Sequence, residues 1–258
     1  MSSVVQQVCP VKSCDEVAEK TFLLRFKSPE IADSAQPGQF VNILAAEVGE
    51  EPLLRRPFSI SRVENDLIEI IFHAVGIGTN LLSRKKSGDR IDVLGPLGQP
   101  FHGNAEYDTA LLVAGGIGVA PFPFLTNDLL KRGKHIETFV GYRNAGQVFT
   151  EHLHNVHIAT DDGSVGFHGN VVKLLDSFLV HNNFGKVKIF ACGPTIMLKA
   201  LSELARQKNI CCEMSLEGQM ACGFGICQGC AVERTEGAAP YALVCKEGPA
   251  FLSTEVIL

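Results

Sequence analysis

Four of the nine cysteines stand as C-x4-C-x2-C-x14-C, with Cys222, Cys227 and Cys230 in ACGFGICQGC and Cys245 in YALVCKEG. The first three match the plant-type [2Fe–2S] spacing, in which thiolates on one loop wrap a cluster and a distant fourth closes it. Gly223, Gly225 and Gly229 permit the backbone angles of a tight loop and bring amide N–H groups near the sulfurs. Zinc is the competing metal, but zinc knuckles favour paired C-x2-C hairpins and only one such pair exists here. Four unconnected core thiols would leave the glycine crowding of a Met-flanked loop unexplained. The other five cysteines read more plainly. Cys9 and Cys14 are expected as surface thiols near the N-terminus, and one of Cys211 and Cys212 is expected to be buried in an apolar strand-like run. Cys192 opens Cys192-Gly193-Pro194 at a strand end, where a parallel sheet presents its ligand crevice, and a purely structural thiol fits there equally well.

Two stretches could take nucleotides. Gly115-Gly116-Ile117-Gly118-Val119-Ala120-Pro121 follows an apolar strand and opens a helix, so glycines let a ligand approach unpaired N–H groups. It departs from G-x-G-x-x-G, because Pro121 stands where the last glycine would be, and alone it also reads as a structural turn. The acidic strand end Thr160-Asp161-Asp162-Gly163 would repel a 2′-phosphate, so NAD is favoured over NADP. Further upstream, Arg56 of Arg55-Arg56-Pro57-Phe58-Ser59 could pair with a phosphate, Phe58 could lie against a planar ring and Ser59 could bond its edge. Gly76-Ile77-Gly78-Thr79 opens a short helix suited to a pyrophosphate, with Lys85 and Lys86 at the helix's far end. A surface arginine pair and an ordinary glycine turn is the plain alternative.

The elements that must position these residues fall into three textures. Residues 1–102 predict an antiparallel β-barrel from strands at Lys20–Phe26, Gln39–Leu44, Phe58–Val63, Leu67–Ala74 and Arg90–Leu94, plus a helix at Thr79–Lys86. Turns fall at Gln36-Pro37-Gly38, Glu50-Glu51-Pro52, Glu64-Asn65-Asp66 and Ser87-Gly88-Asp89. Residues 103–210 alternate strand and helix, which predicts an α/β domain with a parallel sheet. Its strands are expected at Thr109–Ala114, Glu137–Tyr142, Val156–Thr160 and Val187–Ala191. Its helices are expected after Pro121, around Val148–His154, at Gly169–Leu179 and at Pro194–Lys208. Residues 211–258 are too few for a large core and need a staple or a neighbour.

Composition closes off other classes. The chain has 258 residues, 46% hydrophobic, with a formal charge of −5 and no long basic run, which argues against disorder and against a nucleic-acid surface. Residues 211–258 hold Glu213, Glu217, Glu233, Glu236, Glu247 and Glu255 against Arg234 and Lys246, so the acidity concentrates there. The N-terminus lacks a basic and apolar leader, and the apolar run from Thr109 to Thr126 is broken by glycines and prolines. A cytoplasmic protein without membrane contact is expected, its thiols free or metal-bound.

RPFS, GIGT, GPLGQPF, AGGIGVAP and CGP together resemble the ferredoxin–NADP reductase superfamily across residues 1–210. With ACGFGICQGCAV and TDDGSVGFHGNV added, nearly the whole chain resembles the electron-transfer subunits of type B dihydroorotate dehydrogenase. The resemblance implies FAD on Arg56, Pro57, Phe58 and Ser59, with Ile71, Phe72 and His73 along the isoalloxazine or ribityl chain and Gly78 and Thr79 at the pyrophosphate. It implies a [2Fe–2S] cluster on Cys222, Cys227, Cys230 and Cys245, and NAD bordered by Gly115, Gly116, Gly118 and Cys192-Gly193-Pro194. Phe58 stands where the family often has Tyr or Ile, and each can cover a flavin surface.

The family's route implies a partner with FMN that oxidises dihydroorotate, in a complex of two catalytic and two electron-transfer chains. Electrons would cross the cluster singly to FAD and leave as a hydride to NAD⁺. No residue is expected to act as a general base, and the acidic cluster domain is expected to face the partner. The alternative is a reductase subunit of a ferredoxin transhydrogenase or sulfhydrogenase complex. Some transhydrogenase subunits carry Asp at the position of Cys222, so Cys favours the dihydroorotate type. An oxygenase reductase with a fused ferredoxin would need a longer tail, and a cluster-based redox sensor would leave RPFS, GIGT and GGIGVAP unexplained.

Overall fold

The computed structural model describes residues 4–46, 51–102, 106–182, 184–235, 237 and 239–258. Glu50 and Glu236, named above in a turn and in the acidic tail, lie outside them. Among the described residues the strands form a closed barrel, a seven-stranded sheet and a three-stranded sheet.

The barrel uses β1 (Val5–Ala18), β2 (Thr21–Lys27), β3 (Phe40–Leu44), β4 (Arg56–Glu64), β5 (Leu67–His73) and β6 (Arg90–Leu97), in the order β1-β2-β5-β4-β3-β6. Its pairings are antiparallel, as expected. Apolar residues at alternate positions fill the interior: Leu24 and Phe26, Val41 and Ile43, Ile68 and Ile70, and Ile91 and Val93. Long β1 is the element the sequence did not announce. It pairs with β6 through Pro10 and with β2 from Val11, so a proline without an N–H sits where the strand changes partner. Cys9 lies on it and is buried, contrary to the surface thiol expected, and burial pushes its pKa up to about 11. Cys14 is half-buried, with its thiol against Leu82 O.

Two short helices attach to the barrel, α1 (Pro29–Ser34) and α2 (Ile77–Leu82). The second ends sooner than expected. Arg84 and Lys85 donate to Leu81 O and Leu82 O in three-residue turns, and Lys86 N–H is taken by Asp89 Oδ2. Lys85 and Lys86 therefore lie beyond its last turn.

The α/β region contains β7 (Thr109–Gly115), α3 (Phe122–Lys131), β8 (His135–Tyr142), β9 (Val156–Thr160), β10 (Phe167–His168), α4 (Val171–His181), β11 (Val187–Cys192), α5 (Thr195–Lys208) and β12 (Cys211–Ser215). The tail adds β13 (Ala231–Arg234), β14 (Tyr241–Leu243), β15 (Ala250–Leu252) and β16 (Val256–Ile257). Strand order in the large sheet is β10-β9-β8-β7-β11-β12-β15, with only β15 antiparallel. Both faces are covered. Ala110 and Leu112 pack with Phe122 and Leu125 of α3, while Leu111 and Val113 belong to the opposite core with Leu175 and Leu201. The sheet runs past residue 210, since β12 and β15 both belong to it.

No helix forms over Val148–His154. The Phe149 carbonyl accepts from Tyr142 Oη instead of a later amide, and His152 and Asn155 take positive φ. A three-residue turn at Ala145–Gln147 is the only helical piece there.

Glu213 and Lys188 are side by side in the interior, Nζ to Oε2 at 2.7 Å, on adjacent strands β12 and β11. Glu213 Oε1 accepts from the His102 backbone N–H at 2.7 Å and contacts its ring at 2.8 Å, and Lys188 donates to His102 O. Glu213→Leu would strand an ammonium in the core and is expected to lower stability by about 3–5 kcal/mol, whereas Lys188→Met with Glu213→Leu should recover most of it. Equilibrium urea denaturation of the two variants and the parent measures both.

Candidate functional site

Barrel, large sheet and tail meet around one cavity of roughly 270 Å³. The barrel contributes Phe40, Pro57, Phe58, Ser59, Ile71, Phe72, His73, Val75 and Thr79; the glycine turn contributes Ile117 and Ala120. Cys192, Ser215, Leu216, Glu217, Gly218, Met220 and Pro249 complete the wall. The two expected runs Pro57–Ser59 and Ile71–His73 arrive together because β4 and β5 are paired neighbours. Phe58 leans on Phe72 at a centroid distance of 5.5 Å, giving the wall a stiff aromatic corner. His73 Nδ1 is 3.0 Å from Thr21 Oγ1, which fixes the ring against β2.

The neighbouring polar groups are already sorted. Arg55 is committed to Asp92, Nη2 to Oδ2 at 2.7 Å, whereas Arg56 has no carboxylate partner among the described residues. Thr79 Oγ1 accepts from Val75 N–H at 2.9 Å and Gly76 N–H at 3.0 Å, closing the turn before α2. Gly78 packs on Ala45, Pro52 and Arg56, where a Cβ would lie 3.2 Å from Pro52 Cγ. Arg56 and Gly78 thus flank the cavity without lining it.

The sheet places its switch point between β7 and β11, because the chain builds outward from β7 through β10 and then returns to β11. Crevices open beyond the carboxyl ends of strands at such a point, and Gly115 and Cys192 stand on those ends. The expected glycines do different things there. A Cβ on Gly118 would overlap Cys192 O, and one on Gly115 would sit 2.7 Å from Met197 Sδ and 2.9 Å from Pro194 Cδ. One on Gly193 would meet Met197 Cε at 2.8 Å. These three let the turn and the strand end close-pack, with Pro194 as part of that packing. Gly116 is different: its φ is +55° and nothing lies within 4 Å of its would-be Cβ. Cys192 is buried at the cavity edge. Burial, the Glu217 carboxylate and, in the opposite sense, Ser215 set its thiol pKa at about 12, so it is a neutral thiol at pH 7.

Behind Gly218 the cavity wall becomes the cysteine loop, since a Cβ on Gly218 would lie 3.7 Å from Cys230 Cβ. The four thiols come together as two pairs. Cys230 and Cys245 have sulfurs 3.2 Å apart, and Cys227 N–H lies 3.4 Å from Cys222 Sγ. Burial raises the Cys222 pKa, but backbone N–H groups of Cys227, Phe224 and Ile226 outweigh it and bring the thiol down to about 6. Burial and the adjoining Cys230 push Cys245 up to about 12. Two adjoining pairs with amides aimed at sulfur suit a two-iron cluster, whose irons share four thiolates. Gly223 holds φ +80° directly against Asn42, so a side chain there would be both strained and blocked. Of the acidic tail, Glu213 is internal and ion-paired and Glu217 lines the cavity, whereas Phe224 and Ile226 are exposed between the cysteines.

Phe40, Val75, Ile117, Ala120, Ser215–Gly218, Met220 and Pro249 were not anticipated. Ile117 and Ala120 were visible inside GGIGVAP, and Val75 directly precedes GIGT; Phe40 and Ser215 reach the cavity on strands and the rest on the loops that β12 and β15 carry there.

Fold and site together define a ferredoxin-reductase-like flavoprotein reductase with an appended cysteine-rich cluster module. Residues 217–257 match the iron–sulfur cluster binding domain of dihydroorotate dehydrogenase B. A Desulforamulus reducens protein named dihydroorotate dehydrogenase B (NAD(+)), electron transfer subunit, is 38% identical over 250 residues, covering 93% of this chain and 94% of that one. Its counterpart in Geobacillus thermodenitrificans is 39% identical, covering 94% and 95%. A solved structure described as an NADH-dependent reduced ferredoxin-NADP oxidoreductase superposes with a TM-score of 0.83 at 30% identity, covering 96% of this chain and 89% of that one. The chain belongs to the dihydroorotate dehydrogenase B electron transfer subunits. It is an oxidoreductase subunit that works with FAD, an iron–sulfur cluster and NAD, alongside a catalytic partner subunit.

Gly118→Ala should lower stability by about 1–3 kcal/mol through overpacking against the β11 end. Gly116→Ala should cost about 1–2 kcal/mol from its left-handed backbone alone, and denaturation of each variant with a far-UV spectrum reads the difference.

Proposed function

We propose that this chain carries electrons from a dihydroorotate-oxidising FMN subunit through a [2Fe–2S] cluster and FAD to NAD⁺, as part of pyrimidine synthesis in the cytoplasm. The observation that carries the reading is the shared wall: one cavity is bounded by the barrel motif, the sheet's switch point and the segment Ser215–Met220 that leads into the cysteine loop, with Cys230 behind Gly218. Bound FAD supplies the exchange between one- and two-electron transfer, with the cluster taking single electrons. Around it Pro57, Phe58 and Ser59 with Ile71, Phe72 and His73 cover the flavin ring and exclude water. Arg56, without a carboxylate partner among the described residues, and the turn holding Gly78 and Thr79 bind the phosphates. Cys222, Cys227, Cys230 and Cys245 would hold the cluster through their thiolates.

Gly116 gives NAD its approach, with Gly115, Gly118, Cys192, Gly193 and Pro194 as the packed floor beneath. Asp161 and Asp162 lie exposed at the β9 end and disfavour a 2′-phosphate. The working units are 1–102, 103–210 and 211–258, with β12 and β15 of the last serving the sheet of the second. The acidic cluster domain faces the partner, with Phe224 and Ile226 exposed between its cysteines, in an assembly of two chains of each kind. Among the described residues no helix is long and apolar enough to cross a membrane.

The isolated, cofactor-loaded chain should oxidise NADH with an artificial acceptor and show no dihydroorotate turnover until the catalytic subunit is added. Dihydroorotate turnover by the isolated chain would overturn the reading. Cys230→Ser should remove the cluster absorbance and reduce dihydroorotate-to-NAD⁺ transfer in the complex to background, while NADH oxidation by the artificial acceptor persists.

A further inference from the structure

The barrel touches the cysteine loop through few polar contacts, and one is unusual. Asn42 on β3 is completely buried, and its Nδ2 donates to the carbonyl of Cys222 at 3.1 Å. Its Oδ1 has no hydrogen-bond partner among the described residues. An unmatched buried amide oxygen is destabilising, and an apolar side chain of the same shape would avoid that cost. The donor half therefore has to be worth something to this position.

What it joins is specific. Phe40 lies two residues earlier on β3 and lines the cavity. Between Phe40 and Asn42 the pairing with β6 slips by one residue, taken up at Gly95-Pro96, and such slips re-aim side chains. Asn42 also fills the space beside Gly223 that any side chain there would need. The second grip is Gln99, just past β6, whose backbone N–H donates to Gly248 O at 2.6 Å and whose Nε2 donates to Lys246 O at 3.1 Å. The paired strands β3 and β6 thus hold the loop at Cys222 and beside Cys245, the first and last of its cysteines.

We propose that Asn42 is a positioning residue that fixes Cys222, and with it the cluster, to the strand forming the flavin wall, and so sets electron passage between the two. The inference rests on the assignment of FAD to the cavity and the cluster to the four cysteines. It acts through the backbone of Cys222 and needs no change in either cofactor's own binding residues.

The test uses the complete complex with its catalytic subunit, comparing parent, Asn42→Leu, Asn42→Asp and Gln99→Ala by stopped-flow reduction with NADH, electron paramagnetic resonance and thermal unfolding. Asn42→Leu removes the donor together with the orphaned oxygen, so it should be at least as stable as the parent. Flavin reduction should stay at the parent rate while cluster reduction slows about 10–100-fold, with a shifted resonance signal. Asn42→Asp, which turns an acceptor toward the Cys222 carbonyl, should be slower still, and Gln99→Ala, which loses an exposed bond, should be near the parent. Loss of the cluster with flavin content and flavin reduction intact also supports the proposal. Cluster reduction at the parent rate with an unshifted signal overturns it, as does a parallel fall in stability, flavin content and flavin reduction. Overturning it leaves dihydroorotate-to-NAD⁺ transfer by the parent intact; a parent complex without a cluster would overturn the cofactor assignment as well.

Discussion

The buried pair of Lys188 and Glu213 is the constraint on which the arrangement of the three parts rests. An ammonium and a carboxylate inside a protein are tolerable only when each neutralises the other and their remaining hydrogen-bonding capacity is used. Here the two charges neutralise each other, and one residue outside the sheet, His102, adds its N–H to Glu213 Oε1 and its carbonyl to the Lys188 ammonium. His102 lies on the link between barrel and sheet, Lys188 on the strand that ends at Cys192, and Glu213 on the strand that leads to the cysteine loop. The pair therefore does more than join two strands. It commits the link, the nucleotide side and the cluster side to one register, so that Cys192 and Ser215, opposite each other on β11 and β12, both reach the cavity.

A second constraint works at the opposite end of the same strands. A crevice at a switch point must be open to a ligand and still closed to water beneath it. Three glycines meet the second requirement by letting backbone lie on backbone: Gly115, Gly118 and Gly193 interlock with Met197, Pro194 and the Cys192 carbonyl. Gly116 alone meets the first. A glycine-rich motif read as one device is thus two, a sealed floor and a single open approach, and substitutions should separate them.

How much of this was legible depended on whether the signal was local. The C-x4-C-x2-C run, the RPFS strand and GGIGVAP each carry their chemistry within a dozen residues; Pro57–Ser59 of the second and Ile117 and Ala120 of the third share one cavity wall, and the cysteine run lies behind that wall at Gly218. The alternation of strands and helices after Pro100 was legible for the same reason. What escaped is set at long range. β1 has a proline and several charges, and is a strand because β6 and β2 receive it in turn. Val148–His154 has helical composition, but a tyrosine hydroxyl takes the carbonyl that a helix would use. The acidity of the last 48 residues suggested a charged face; one of its glutamates is inside the sheet and another is in the cavity wall. Asn42 gave no signal, because an asparagine in a strand announces neither the loop it will meet nor the bond it will make.

These placements share a logic. The flavin barrel, the nucleotide crevice and the cluster loop are assembled from segments that each part borrows from another: β12 and β15 belong in sequence to the tail and in space to the sheet, and the cysteine loop is held from the barrel. An electron carrier with cofactors on separate, loosely joined modules would have to wait on their relative motion. Borrowed strands remove that freedom, since moving the loop relative to the cavity would break sheet hydrogen bonds at β12–β15 together with the Gln99 and Asn42 contacts. The cost is local, in an orphaned amide oxygen and a buried ion pair that contributes little net stability. Both lie where two parts join, so what they provide is a fixed separation between the sites rather than a more stable fold.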